Sequence, residues 1–255
     1  MKVTKEQLDK LVKRYETSAF IANDPVKFPR RFTDAKDIEV AALLTAMISW
    51  GNRKQIINDC NKLFFMMGKS PFRFVIDCAW DNIDPAMNIH RTFFGRDLIY
   101  ICCGLKYIYH RAFTLENIKY ENVWQWIEAL QYLMVKANGG EYNKHIAPSG
   151  GNHASHKGQS ACKRLHLFLR WMVRTGSPVD LGIWTHHFSP EVLHIPLDVH
   201  VARVGRELGL ITRKTNDRKT VEELTQNLAV FDPKDPCKYD FALFGIGESQ
   251  KHVVR

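Results

Sequence analysis

No stretch of the chain approaches the roughly 20 consecutive apolar residues needed to span a bilayer. The N-terminus, MKVTKEQLDKLVKRYE, is charged and helix-like where a secretory leader would be apolar. Both absences point to a cytosolic protein. The six cysteines, Cys60, Cys78, Cys102, Cys103, Cys162 and Cys237, include no CxxC pair. Scattered thiols of this kind read as reduced and mostly buried rather than as disulfides, and an iron–sulfur site needs closely spaced ligands. His145, His153, His156, His186 and His187 match no metal-ligand spacing, and the adjacent pair faces different ways on a helix. Neither a metal nor a cofactor is expected. Strand alternation and internal repeats are missing too; the run at 72–76 mimics a strand but lies beside a helix start. An all-α protein is the expectation.

Acidic residues are absent from 142–179, while Lys144, Lys157, Lys163, Arg164, Arg170 and Arg174 all fall inside that window. The chain as a whole carries a formal net charge of +9 over 255 residues. A local excess of cations suits phosphate, because each neutralised phosphate releases counterions. It suits a solvated loop and helix face equally well.

Helix signals fill the rest. Thr4 and Gln7 make a capping box, with Leu8, Leu11 and Tyr15 on one stripe. Asp24-Pro25 and Phe28-Pro29 break the chain before a near-continuously apolar helix at about 34–49, which Trp50-Gly51-Asn52 ends. A helix follows through Phe65, and Ser70-Pro71 opens another. Helical patterns cover about 96–112 and 121–137, and then 138–160, rich in Gly, Asn, Ser and His, reads as a long surface loop. A helix resumes near Lys163 and stops at Ser177-Pro178. Ser189-Pro190 is a further cap-and-proline start. Three helices close the chain: one from Asp198 to Gly209, one at about 218–231, and one from Asp235-Pro236 to about Gly245-Ile246-Gly247.

Residues 195–210 read IPLDVHVARVGRELGL. This resembles the signature stretch of the helix-hairpin-helix (HhH-GPD) DNA glycosylase superfamily, to which endonuclease III belongs. There an apolar residue, Asp, a small or β-branched residue and His open a helix that runs on to Arg and Leu-Gly-Leu. The KYDFALFG at 238–245 looks like that superfamily's next core helix. The segments 24–32, 50–54, 162–174 and 232–247 further resemble a bacterial branch of the superfamily classed as a domain of unknown function. The resemblance implies two helical lobes with a DNA-binding cleft between them, 33–197 forming a central bundle and 1–32 with 198–255 the second lobe. It implies a monomer that binds double-stranded DNA at a damaged base or abasic site, in the cytoplasm with the nucleoid.

Within the resemblance, Asp198 matches the catalytic carboxylate. A bare Asp before a helix is an N-cap; in a water-poor cleft it would also stabilise the positive charge that develops on the sugar as a glycosidic bond breaks. Lys163 is the candidate for the amine that bifunctional members use to form a Schiff base, and Arg164 is a neighbouring cation. Two departures stand out. The superfamily has glycines two and four residues before its lysine, where this chain has Ala161 and Gln159. Its lysine also precedes its aspartate by about 18 residues, whereas Lys163 lies 35 before Asp198, so Asp180 is an alternative partner. Lys157, Gly158, Ser160, Arg164, His200 and Arg203 are candidates for DNA contact. Trp50 and Trp184 either stack beside a flipped base or pack in a core. The function implied is a base-excision DNA N-glycosylase, with or without abasic-site lyase activity. The alternative is a non-catalytic DNA- or lesion-binding module, or an RNA-binding protein, on the same fold.

Overall fold

The computed structural model describes residues 3–118, 120–148 and 159–253. They are mostly helical, and no helix among them is long and apolar enough to cross a membrane. The chain divides into two compact units, Met1–Asn23 with Ser155–Arg255, and Asp24–Ala154.

The chain enters the first unit through α1 (Lys5–Tyr15), whose capping box is the expected one: Gln7 N donates to Thr4 Oγ1 and Thr4 N donates back to Gln7 Oε1. A single turn, α2 (Ser18–Ile21), follows.

The second unit begins at Asp24, whose carboxylate accepts from Val26 N at 3.0 Å and starts a pair of 3-10 turns, Pro25–Lys27 and Pro29–Arg31. Its axis is α3 (Ala35–Ile48), capped by Asp34 and buried from Val40 through Ile48. Two carboxylates, Asp37 and Glu39, are buried just before this run. Glu39, 2% exposed, accepts from Tyr109 Oη at 2.6 Å and from Leu115 N at 2.9 Å, so the burial is compensated by donors. Against α3 pack α4 (Arg53–Met67) and α5 (Pro71–Ile76, started by Ser70); α6 (Gly95–Ala112) packs on α5, and α7 (Val123–Ala137) on α6. Between α5 and α6 runs a short antiparallel pair, β1 (Asn88–His90) and β2 (Phe93–Phe94). Strands of two and three residues are too brief to leave an alternation in the sequence.

The expected surface loop after α7 is tied down over its first part. His145, Ile146 and Ala147 are buried, Asn143 Nδ2 donates to Asp97 at 2.8 Å, and Gln131 Nε2 donates to the Ile146 carbonyl at 3.0 Å. Asn and His here connect buried acceptors, although their composition reads as a solvated loop.

Back in the first unit, α8 (Lys163–Val173) leads into an irregular segment that folds onto the end of the same helix. Leu181 N and Gly182 N donate to the Trp171 carbonyl at 2.8 and 3.0 Å, and Trp184 N donates to the Met172 carbonyl at 2.8 Å. These bonds satisfy carbonyls that a helix end leaves without partners. Gly182 sits at φ +60 with the Arg174 carbonyl 2.7 Å from where a Cβ would stand, so no other residue fits the return. Then come α9 (Val199–Glu207), α10 (Arg218–Ala229) and α11 (Tyr239–Val253). The last helix runs past Gly245 and Gly247, where the sequence suggested a stop. A Cβ on Gly245 would meet the Tyr15 ring at 2.1 Å, so the glycine lets α1 approach α11 closely.

Candidate active site at two helix starts

Asp198 and Lys163, which the sequence boundary at 197/198 separates, both lie in the first unit. Asp198 caps α9: its Oδ1 accepts from His200 N at 2.9 Å and Val201 N at 2.8 Å. The bonds fix the carboxylate and leave its second oxygen uncommitted to the helix. That oxygen lies 3.6 Å from Lys163 Nζ, an ion-pair distance longer than a tight hydrogen bond. Lys163 is the first residue of α8, and Cys162 before it takes a left-handed φ of 44. The Lys163 and Asp198 side chains keep 28% and 33% exposure, so a substrate can reach the pair.

The pair stands over a buried charge network. Arg170, two turns along α8 from Lys163, donates through Nε to Asp180 Oδ1 at 3.2 Å and through Nη1 to Asp240 Oδ2, and its guanidinium lies 4.6 Å from the Phe241 ring centroid. Arg174, one further turn on, reaches Asp180, holds Asp235 through Nε and Nη2 at 2.9 and 2.8 Å, and pairs with Glu16 at 2.8 Å. Burial opposes the Arg174 charge, but Asp180, Asp235 and Glu16 outweigh it and push its pKa up. Four carboxylates thus surround two arginines that are each under 6% exposed.

Asp240 lies buried at the start of α11. Burial pushes its pKa up to about 6; Arg170 and Lys163 pull it down, while Asp198 and Asp180 add to the rise. A folded value above the ordinary carboxylate range stabilises the protein fully below pH about 4, and that contribution is lost as pH rises through about 6. A rise of this size corresponds to on the order of 3 kcal/mol. Asp240→Asn should therefore destabilise the protein less at pH ~7 than at pH ~4, by about that amount. Urea unfolding of both proteins at the two pH values checks it; equal destabilisation at both would show an ordinary carboxylate.

Asp180, the alternative partner for Lys163, has a fully buried side chain and is held by Arg170 and Arg174. Arg164 is half-buried, and burial lowers the pKa of its guanidinium. Ser160 is exposed, with its Oγ accepting from Cys162 N at 3.2 Å. His200 is exposed on the first turn of α9, and Arg203 pairs with Glu207 at 2.7 Å. Lys157 and Gly158 lie outside the described residues. Trp184 is not available to stack on a base: it is 3% exposed, with its ring edge-on to Phe168 at 5.2 Å. Trp50 belongs to the other unit, where its carbonyl accepts from His90 Nε2 at 2.8 Å and Arg91 lies over its ring. Sequence reasoning missed Arg170, Arg174 and Asp240 as site-supporting groups. The signal available was spacing: 163, 170 and 174 fall on one helical face, which puts two arginines among buried apolar residues.

The chain belongs to the family described as protein of unknown function (DUF2400), whose model matches residues 24–249. No curated protein and no solved structure matches it significantly.

Proposed function

We propose that the protein is a base-excision DNA N-glycosylase of the helix-hairpin-helix type, with Lys163 as nucleophile and Asp198 as its carboxylate partner. The observation that carries this reading is the 3.6 Å approach of Lys163 Nζ to an Asp198 oxygen that the helix cap leaves over. In the proposed reaction Asp198 takes a proton from the lysine ammonium. The amine attacks C1′ of the flipped nucleotide as the C1′–N bond breaks, and the base leaves with the bonding electrons and takes up the proton held by Asp198, whose carboxylate is charged again. Positive charge building on the sugar ring meets the fixed carboxylate. Ring opening then gives a Schiff base, from which the strand is cut by elimination of the 3′ phosphate. The formal net charge of +9 suits a polyanion.

A second reading, lesion binding without turnover, is favoured by the segment before Lys163. Gln159 and Ala161 stand where the superfamily has glycine. The Gln159 carbonyl accepts from Arg218 N at 3.0 Å and Ser160 bridges Asp217, so this stretch is fastened to the start of α10. Borohydride trapping on an abasic-site duplex separates the two readings. We expect a covalent adduct with the wild type and none with Lys163→Ala. No adduct and intact strands across a lesion panel, with salt-dependent binding retained, would leave the binding module.

A further inference from the structure

Cys78, Cys103 and Lys106 meet in the second unit, apart from the candidate site and independent of the function proposed for it. Cys78 stands between α5 and the 3-10 turn Ala79–Asn82 in a left-handed conformation, φ 58. Cys103 and Lys106 are one turn apart on α6. Cys78 and Lys106 are both partly exposed. The Lys106 Nζ lies 2.5 Å from Cys78 Sγ. That is below the roughly 2.7–3.2 Å of ordinary N–H···O bonds, although sulfur is the larger atom. It is the separation that a nitrogen and a sulfur adopt when both are bonded to one oxygen. Cys103 is turned elsewhere, its Sγ donating to the Ala137 carbonyl at 3.4 Å.

We propose that Cys78 and Lys106 are a modification site at which a peroxide closes a covalent Nζ–O–Sγ bridge. Peroxide oxidises cysteine sulfur, and the partly exposed Cys78 Sγ has Lys106 Nζ in contact with it. One peroxide converts the thiol to a sulfenic acid with release of water. The sulfur contact is the main cause that holds the Lys106 ammonium above the ordinary lysine value, so oxidising the sulfur returns it toward that value, and it is the amine form that reacts further. A second peroxide converts the amine to a hydroxylamine, again releasing water. The sulfenic acid and hydroxylamine then condense, losing a third water and leaving one oxygen between sulfur and nitrogen. Overall, one thiol, one amine and two peroxides give one bridge and three waters. The bridge spans 28 positions of sequence and fastens the end of α5 to α6.

The test is mass spectrometry of the full chain before and after hydrogen peroxide. The expected product gains one oxygen and loses two hydrogens, and its Cys78 and Lys106 peptides stay joined after digestion. Dithiothreitol restores the starting mass. Cys78→Ser and Lys106→Arg should abolish the product, and Cys103→Ser should keep it. A loss of two hydrogens without oxygen that Cys103→Ser abolishes would show a Cys78–Cys103 disulfide and overturn the proposal. Oxygen on Cys78 with Lys106 still open to trypsin, or an unchanged mass, would overturn it as well.

Discussion

Asp198→Asn should fold as stably as the wild type and release damaged bases on the order of 10²–10³ times more slowly. The expectation rests on the division of labour between the two carboxylate oxygens. Oδ1 does the capping, accepting from His200 N and Val201 N, and Oδ2 faces Lys163. An asparagine keeps the capping oxygen, and Asn and Asp are about equal as N-caps. What it loses is the negative charge, which in the proposed reaction takes the lysine proton and meets the charge on the sugar. Asp198→Ala loses both functions and should cost an additional 0.5–2 kcal/mol of stability, roughly what a missing cap costs. Single-turnover base release together with thermal unfolding reads the two effects apart. Asp198→Asn with full activity would reduce Asp198 to a cap and sink the nucleophile–carboxylate reading, however tightly the protein binds DNA.

The helix starts were legible in the sequence because capping is local. Thr4 with Gln7, Ser70 before Pro71, and Asp198 before its helix act within three residues of themselves, so their roles survive any tertiary arrangement. The pairing of Lys163 with Asp198 was only half legible. A separation of 35 residues argues against proximity until it is known that the intervening segment returns to α8, where Trp171 and Met172 carbonyls receive it. The single-site signals that misled were glycines and polar clusters. Gly245 reads as a helix stop but makes room for Tyr15, and Asn143 and His145 read as a loop but serve buried acceptors. In each case the partner is far away in sequence, and a one-dimensional pattern carries no trace of it.

Asp180→Ala should be among the most destabilising substitutions in the first unit, costing about 3–5 kcal/mol. Asp180 is shared by both buried arginines, and its side chain has no exposure. Truncating it leaves Arg170 with Asp240, whose burial favours the protonated form, and leaves Arg174 with the more exposed Asp235 and with Glu16. Water cannot compensate readily at that depth, so the cost is that of uncompensated buried charge. By contrast Lys5→Ala, which removes the solvent-facing Lys5–Asp9 pair on α1, should cost no more than about 0.5 kcal/mol. Against a typical margin of about 5–15 kcal/mol, the first change approaches unfolding and the second is nearly silent. The network also sets the position of α8, which carries Lys163 on its first turn. Asp180→Ala should then lose trapping activity at temperatures where circular dichroism still reports a folded chain. Urea midpoints for both variants, with trapping measured below the transition, check this. If Asp180→Ala were as mild as Lys5→Ala, the buried arginines would be satisfied without Asp180, and the candidate site would not depend on the charge network beneath it.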